Sequence, residues 1–469
     1  MVEPMKPRKR RRWLSLSLRA LLLMMLLIAV GSGYLGIQMS RLRRQRAAIS
    51  KVLSVGGNVT YYHTPDSIGG FGGPLFGSFG EKPAPNPGPQ SVRRWLGDDY
   101  FVKVKSLSDV NLGLGDDKQK IASLDFVRDL PDLKQISLYK ADRIKDISAL
   151  SHLNLNGLTL LGAKINDLDS LTGMKNLQAV DLDESSVQNV QAIEGLKQLQ
   201  YLSLANTKVA TLPELKHHRS LEHLDLTATR IHDLEFLRST SSLTALWIAK
   251  TAVRDLSPIR SNQELESLDC THTKVADLSA LQQLTKLSEL KLGHSKVADL
   301  RPLAQLKTLT ELVLEGTRVR DATPVKNLEL LFALTLKNAP VTAISIPKDL
   351  SYLDISGTEI TSLQFVKKDT ALATLVMDRT PIVDLAPLQR LQHACSLGLG
   401  HTKIRDLSAL IKTKGIDEVW IAPGCVSEKE LQRFRKARPE IELIIQEDPP
   451  DWSGWRNWVI PGSIEPVVG

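Results

Sequence analysis

The feature that most constrains the fold of this chain is a phrase that returns at a fixed interval. THTKVADLSAL at residues 271–281 is followed by GHSKVADLRPL at residues 293–303, a step of 22 residues. The step extends in both directions along the chain, with one shorter interval of 19 residues. The middle apolar positions of the repeats are Ile136, Leu158, Val180, Leu202, Leu224, Leu246, Leu268, Leu290, Leu312, Leu334, Leu353, Leu375, Leu397 and Val419. A self-similar period of this length is typical of a solenoid of stacked coils.

The pattern inside each repeat predicts the shape of a coil. The alternation LxL has a period of two residues, which predicts a short strand. The later Val and Leu residues predict an arc that closes the coil and points its side chains inward. Because one coil cannot bury its own leucines, stacked coils must share one apolar core. We therefore predict a repeat solenoid of the α/β class over residues 121–425, with about 14 coils.

The repeats resemble the 22-residue leucine-rich repeats of internalin-like bacterial proteins, including the phrases DLSPI at 255–259 and DLAPL at 384–388. The first part of the chain also resembles a group of membrane-anchored bacterial leucine-rich repeat proteins of undefined activity. SLRALLL at 17–23, RRQRAAISKVLSVGGNVTYY at 43–62 and WLGDDYF at 95–101 carry this second resemblance. The resemblance implies a right-handed horseshoe that binds other molecules, with a concave parallel β-sheet and 3₁₀ or irregular convex arcs.

One inward position departs from the family pattern, because threonine stands where such repeats usually have asparagine. The threonines are Thr207, Thr229, Thr251, Thr273, Thr317, Thr358, Thr380 and Thr402. A threonine hydroxyl can bond backbone groups in the turn, but it has fewer donors than an amide. The departure puts the usual hydrogen-bond network of the turn in doubt and leaves the fold unaffected.

The N-terminus combines a basic block with an apolar segment. Lys6–Arg12 is strongly basic, and residues 20–39 form 20 positions without a charge. Twenty helical residues span about 30 Å, which is the thickness of the hydrocarbon core of a bilayer. We predict a basic cytoplasmic segment at 1–19 and a transmembrane helix at 20–39. A cleaved signal peptide is the alternative, since small residues at 29–32 would permit cleavage.

The apolar segment also contains two patterns of small residues. GSGYLG at 31–36 matches the dinucleotide fingerprint GxGxxG. That fingerprint needs a strand before it and a helix after it, so a match inside a membrane span is false. The pairs Ala29/Gly33 and Ser32/Gly36 would let two spans approach closely, which indicates weak self-association.

Charge is distributed unevenly along the chain. Residues 1–53 hold 12 Lys/Arg and one acid, so the rest of a chain with net charge +8 carries −3. A nucleic-acid-binding domain carries its positive charge on the folded part, and we therefore predict no nucleic-acid partner. More basic residues precede the apolar segment than follow it, which predicts a cytoplasmic N-terminus and an extracytoplasmic repeat domain. The inverted topology, with a cytoplasmic scaffold, remains an alternative.

The remaining segments are assigned by composition. Residues 40–66 are predicted to be a juxtamembrane segment, and the glycines and prolines of 67–90 are typical of a flexible spacer. Residues 91–120 are predicted to cap the first coil. Residues 426–445 are predicted to cap the last coil with a Ser-capped helix and a final strand. The tail, 446–469, contains Trp452, Trp455 and Trp458, and it either docks on the solenoid end or engages a partner or membrane surface.

Side chains that suggest chemistry are better explained by structure. An aspartate column precedes the convex arcs, where carboxylates cap exposed N–H groups of 3₁₀ turns. Its members are Asp146, Asp167, Asp233, Asp255, Asp277, Asp299, Asp321, Asp384 and Asp406. His272, His294 and His401 share one column without a converging third metal ligand. The cysteines Cys270, Cys395 and Cys425 form no CxxC pair. We predict no metal, no cofactor and no enzymatic activity.

The outward strand positions vary between coils and are the candidate binding surface. Asp181, Asp183, Asp225 and Asp269 surround Trp247, with Tyr201 and His223 nearby, and Trp420 is a second outward tryptophan. An exposed aromatic among carboxylates is typical of a recognition patch. The alternative is a solvated acidic face with one stray tryptophan.

These observations lead to one functional hypothesis with two alternatives. The chain is interpreted as a non-enzymatic, membrane-anchored scaffold whose concave face binds a protein or another envelope macromolecule. The alternatives are a passive envelope spacer and a scaffold that faces the cytoplasm.

Overall fold

Each repeat contributes one short strand to a long parallel sheet in the computed structural model, which describes residues 18–61, 103–111, 121–393 and 395–447. The repeat strands are β3 (Gln135–Tyr139), β4 (Gly157–Leu160), β5 (Ala179–Asp181), β6 (Tyr201–Ser203), β7 (His223–Asp225), β8 (Ala245–Trp247), β9 (Ser267–Asp269), β10 (Glu289–Lys291), β11 (Glu311–Val313), β13 (Ala333–Thr335), β15 (Tyr352–Asp354), β16 (Thr374–Val376), β17 (Ser396–Gly398) and β18 (Glu418–Ile421). The predicted solenoid is confirmed, with its sheet on the concave side.

The strands pair in the register that the 22-residue period predicts. Leu268, Leu290 and Leu312 are direct cross-strand partners, and all three are fully buried. The short interval does not break the register, because Leu334 still pairs with Leu353. On the convex side the arcs near this interval form a small separate sheet of β12 (Asp321–Ala322) and β14 (Ala343–Ile344).

The aspartate column caps the convex turns as predicted. Each aspartate accepts a hydrogen bond through Oδ1 from the backbone N–H two residues later, at 2.7–3.2 Å. That N–H belongs to the first residue of a 3₁₀ turn, or, after Asp406, of the short helix α2 (Ser408–Ile411). The carboxylates thus satisfy donors that the start of a helical turn leaves free.

The buried threonines that replace the usual asparagines form a local hydrogen bond through their hydroxyl groups. In seven of the eight repeats the threonine hydroxyl donates to the carbonyl oxygen three residues earlier, at 2.6–2.8 Å. All eight threonines are buried. The hydroxyl therefore closes the turn that follows each strand within its own coil.

The N-terminal helix is longer than the sequence predicted. Helix α1 runs unbroken over Leu18–Leu53. Its side chains between Leu21 and Arg41 are almost all exposed. Among the described residues it is the one helix long and apolar enough to cross a membrane, which makes it a candidate membrane span or signal sequence. The GxGxxG match lies inside this helix and not between a strand and a helix.

The last turns of α1 belong to the solenoid. Ala48, Val52 and Val55 are buried in the same apolar cluster as the repeats. Arg44 forms an ion pair with Asp129 of the first 3₁₀ turn, at 3.7 Å. Part of the predicted juxtamembrane segment therefore also covers the open end of the core. The spacing of these apolar residues, three or four apart, is the helical signal that the sequence contained.

Two strands complete this N-terminal cap. β1 (Asn58–Tyr61) pairs antiparallel with β2 (Val104–Asn111), and β2 pairs parallel with β3. Tyr61 is the cross-strand partner of Val104, so the chain that leaves β1 returns beside it. This pairing brings together the residues on either side of the segment 67–90, which the composition predicts to be a spacer. That segment itself lies outside the described residues.

A helix and a strand cover the other end of the core. Helix α3 (Glu428–Ala437) begins after Ser427, whose Oγ accepts a hydrogen bond from the Glu430 N–H at 3.3 Å. Leu431 and Phe434 are buried against the last coil. Strand β19 (Glu442–Ile445) then pairs in parallel with β18. The three tryptophans of the tail lie outside the described residues.

Candidate functional site on the concave face

The candidate site lies on five neighbouring strands, β5 to β9, whose outward residues form two rows across the sheet. Tyr201 and His223 are cross-strand partners in one row. Asp225, Trp247 and Asp269 are successive partners in the other. We call the following residues the concave patch: Asp181, Asp183, Tyr201, His223, Asp225, Trp247 and Asp269. The structure brings seven of the eight sequence-predicted residues together, because strand register aligns adjacent coils.

Three rings of the concave patch form a continuous aromatic line. The ring centroids of Tyr201 and His223 are 6.3 Å apart, and those of His223 and Trp247 are also 6.3 Å apart. The His223 and Trp247 planes are 24° apart, an offset stack. Trp247 is only 6% exposed, so the expectation of an exposed tryptophan is wrong. Tyr201 and His223 are the more accessible rings, since both are only half-buried.

The carboxylates of the patch also hold the turns that follow the strands. Asp181, Asp225 and Asp269 each accept, through Oδ1, a hydrogen bond from the N–H two residues later, at 2.7–3.1 Å. Asp183 accepts bonds from the Ser203 hydroxyl and from the Ala205 N–H. The aspartates therefore have a structural role in addition to the charge that they place on the concave face.

Burial raises the pKa of three of these carboxylates, those of Asp181, Asp183 and Asp225. Loss of solvent, with the nearby charge of Asp183, raises the pKa of Asp181 to about 7. Burial raises the pKa of Asp225 to about 6, although hydrogen bonds from Thr227 oppose the shift. Burial likewise lowers the pKa of His223. A positive group beside these aspartates would relieve an existing electrostatic cost.

Trp420 is not part of this patch. It lies on β18 and is fully buried, and its Nε1 donates to the carbonyl oxygen of Gln446 at 2.9 Å. A Cβ atom on Gly400 would lie 2.7 Å from the Trp420 ring, so the ring packs directly on the neighbouring coil. The prediction of Trp420 as a ligand-binding residue is wrong, because the C-terminal cap covers the last outward position.

The histidine column makes contacts between coils. The rings of His272 and His294 stack with centroids 4.3 Å apart and planes 9° apart. Nδ1 of His401 lies 3.0 Å from Oδ1 of Asp378. Within the described part of the chain no group of three or more His, Cys, Asp or Glu side chains is placed to hold a metal ion.

Sequence reasoning missed Ser203 as a member of the site. Its hydroxyl lies on β6 between two acidic coils and donates to Asp183. The fixed period contained the signal, since Ser203 is the cross-strand partner of both Asp181 and Asp225. A hydroxyl at that position is the donor that lets neighbouring carboxylates pack closely.

Comparison with solved structures agrees with this architecture. A leucine-rich repeat protein of Leptospira interrogans has a TM-score of 0.62 and 24% identity, covering 69% of this chain and 86% of its own. An internalin of Listeria monocytogenes has a TM-score of 0.55 and 22% identity, covering 62% of this chain and 86% of its own. The TLR13–ssRNA13 complex has a TM-score of 0.54 and 17% identity, covering 71% of this chain and 57% of that chain. No protein-family model and no curated protein matches the sequence.

These likenesses concern the fold. The parallel sheet, the 3₁₀ turns and the bacterial structural neighbours agree with one another. In fold the chain is an internalin-like leucine-rich repeat solenoid with an apolar helix at its N-terminal end.

Proposed function

We propose that the chain is a membrane-anchored, non-enzymatic binding protein whose concave patch recognises a protein partner through positively charged side chains. Helix α1 serves as the retained anchor, with the N-terminus in the cytoplasm and the repeat domain outside it. The basic block before the apolar segment supports this orientation.

The observation that carries the proposal is the concentration of partly desolvated carboxylates on adjacent strands. Asp181 and Asp225 have raised pKa values, and they lie on strands β5 and β7 of one continuous face. A lysine or arginine from a partner gains Coulomb energy there and also removes the cost of the neighbouring negative charges. Such complementarity gives specificity and a faster association rate.

The three rings of the aromatic line have different roles within the concave patch. Because Trp247 is buried under its neighbours, it supports the other rings and does not itself enter a partner. Tyr201 and His223 are only half-buried, and they offer the flat surfaces that binding hot spots favour. Trp247 is therefore a positioning residue for His223, on which it stacks.

The sign of the charge selects the class of partner for this face. A related solenoid is known in complex with single-stranded RNA. On the concave face of this chain, a phosphate backbone would meet the carboxylates of Asp225 and Asp269, which repel it. A cationic protein surface is the better match.

The test begins with a photo-crosslinking residue in place of Ser267 on the concave face of the full-length chain, used to identify the partner in membranes. Partner capture is then compared between wild type and the Asp225→Asn/Asp269→Asn variant. Asparagine keeps the Oδ1 acceptor for the turn and removes the charge. We expect about tenfold weaker capture at low salt, and a smaller difference at high salt because screening weakens charge pairs.

The matched control removes two exposed carboxylates elsewhere, Asp142→Asn/Asp369→Asn. It should capture the partner as wild type does. Equal capture by the wild type and the patch variant would show that the concave patch does not bind this partner.

A further inference from the structure

A row of positive side chains runs along one flank of the solenoid, just after the turn that follows each strand. Its positions are Lys208, Arg230, Ala252, Lys274, Lys296 and Arg318, one in each of six successive coils. We call the five cations of this set the basic row. All five are exposed, and among the described residues none has a carboxylate oxygen within 4.0 Å.

Backbone hydrogen bonds hold the positions of this row in register from coil to coil. The N–H of each position donates to a carbonyl oxygen of the preceding coil, from Lys208 to Val187 through to Arg318 to Val297, at 2.8–3.3 Å. The cations therefore repeat once per coil, at about 4.8 Å, and the row is about 24 Å long. A fixed linear array of this kind suits an extended polymer better than a compact ligand.

The columns on either side decide the net charge of the flank. Toward the sheet, the adjacent column contributes Lys250, His272 and His294 and no acid across these coils. Toward the convex side lie the capping carboxylates Asp233, Asp255, Asp277, Asp299 and Asp321, together with the cations Arg254 and Arg320. Each of these carboxylates is already bonded to a backbone N–H, and that of Asp299 also pairs with Arg301. The flank is positive, whereas the concave patch is negative.

The neighbours of Ala252 keep the row continuous. Lys250 and Arg254 stand two residues before and two residues after this alanine, and both are exposed. Neither forms an ion pair in the described part of the chain. Positive charge therefore continues along the flank through the coil in which the row itself has no cation.

We propose that the basic row binds a linear anionic glycopolymer, built from sugar or polyol units, through the carboxylate or phosphate groups of the polymer. Regularly spaced cations on a rigid ladder match regularly spaced anions on an extended chain, and binding releases the counterions of the polymer. Proteins that bind single-stranded nucleic acid add aromatic platforms for the bases, and the row contains no Trp, Tyr or Phe. The choice of a glycopolymer rests on the extracytoplasmic orientation proposed above, and it is independent of the partner of the concave patch.

The experiment measures binding of the full-length chain, in detergent, to fluorescent polygalacturonate, poly(glycerol phosphate), neutral dextran and poly(U). The test variant is Lys274→Gln/Lys296→Gln/Arg318→Gln. The control variant, Lys175→Gln/Lys197→Gln/Arg219→Gln, removes the same charge from three exposed cations of another column, none of which forms an ion pair among the described residues. We expect the test variant to bind the anionic polysaccharide or polyol phosphate at least about tenfold more weakly at low salt, with the control within about twofold of wild type.

The four polymers distinguish the possible ligand groups. Wild-type binding to polygalacturonate identifies carboxylates as the ligand groups, binding to poly(glycerol phosphate) identifies phosphates, and either result supports the proposal. Preference for poly(U), equal loss in both variants, or no more binding to the anionic polymers than to dextran would overturn it. Melting temperature verifies that both variants fold. Capture of the concave-patch partner should be unchanged in the test variant, so failure of one proposal is distinguishable from failure of the other.

Discussion

On strand β10, Leu290 points into the core between Leu268 and Leu312, whereas Glu289 and Lys291 lie on the concave face and form an ion pair at 2.6 Å. The inward side of the sheet is uniform, because every coil must fill the same column. The concave side differs from coil to coil. Burial there depends on which side chains meet, so that Lys291 is half-buried while Trp247 is 6% exposed. The position of a residue in the repeat therefore determines its burial on the inward side. On the concave side, burial depends on the neighbouring side chains.

The largest expected effect comes from a substitution in the buried column of inward-pointing leucines. Leu290→Asp should unfold the central coils, since an unpaired buried carboxylate costs several kcal/mol and disrupts the coils on both sides. Circular dichroism melts of the full-length protein should show loss of the cooperative transition. The outward substitution Thr335→Asp on β13 is the control and should melt almost as wild type does. A wild-type melt for Leu290→Asp would contradict the assignment of the core.

The second prediction concerns the part of α1 that lies outside the repeat pattern but inside the core. A chain that begins at residue 91 lacks α1 and β1, and should aggregate or melt at a much lower temperature than a chain that begins at residue 41. The longer chain keeps Ala48, Val52 and Val55, which cover the first coil. Size-exclusion chromatography and thermal melts of the two chains test the difference. Equal stability would show that the end of α1 is not part of the cap.

The third prediction sharpens the comparison on the concave face. Trp247→Ala should lower the free energy of unfolding by about 3 kcal/mol, because it removes a large buried ring. An exposed tryptophan at the same position would cost almost nothing. Trp247→Phe keeps an aromatic stack on His223 and should recover about half of the loss. Urea denaturation of the three proteins decides between the buried and the exposed position.

The smallest effect is a pH dependence of stability. The pKa values of Asp181 and Asp225 rise in the folded chain from the ordinary 3.8 to about 7 and about 6. The folded chain therefore holds these protons more tightly than the unfolded chain, and the stabilisation is complete below pH 3.8 and lost as the pH rises through 6 and 7. The melting temperature should fall over this range.

The variant Asp181→Asn/Asp225→Asn tests the source of this dependence. Its melting temperature should fall by roughly 2–4 °C less than that of wild type between about pH 5 and pH 8. The substitution Asp142→Asn/Asp369→Asn should leave the slope unchanged. Parallel curves for the wild type and the Asp181→Asn/Asp225→Asn variant would show that the two carboxylates do not titrate in this interval.

The concave patch was only partly predictable from the sequence. The period placed Tyr201 beside His223, and Asp225 beside Trp247, because residues 22 positions apart occupy equivalent places on adjacent coils. It gave no information about how far each side chain is covered. Trp420 shows the same limit, since its outward position looked like that of Trp247 until the C-terminal cap was in place.

The repeat pattern by itself determined the coil, the strand register, the aspartate caps and the inward column. Each of these depends on contacts between residues at fixed short separations, and the period states those separations. The tertiary structure alone decided that the end of α1 caps the first coil, that Tyr61 and Val104 become neighbours, and that Trp247 and Trp420 are buried. These contacts join segments outside the repeat pattern or depend on the size of neighbouring side chains. A periodic sequence specifies equivalent positions, and the packing of the particular side chains at those positions specifies what remains exposed.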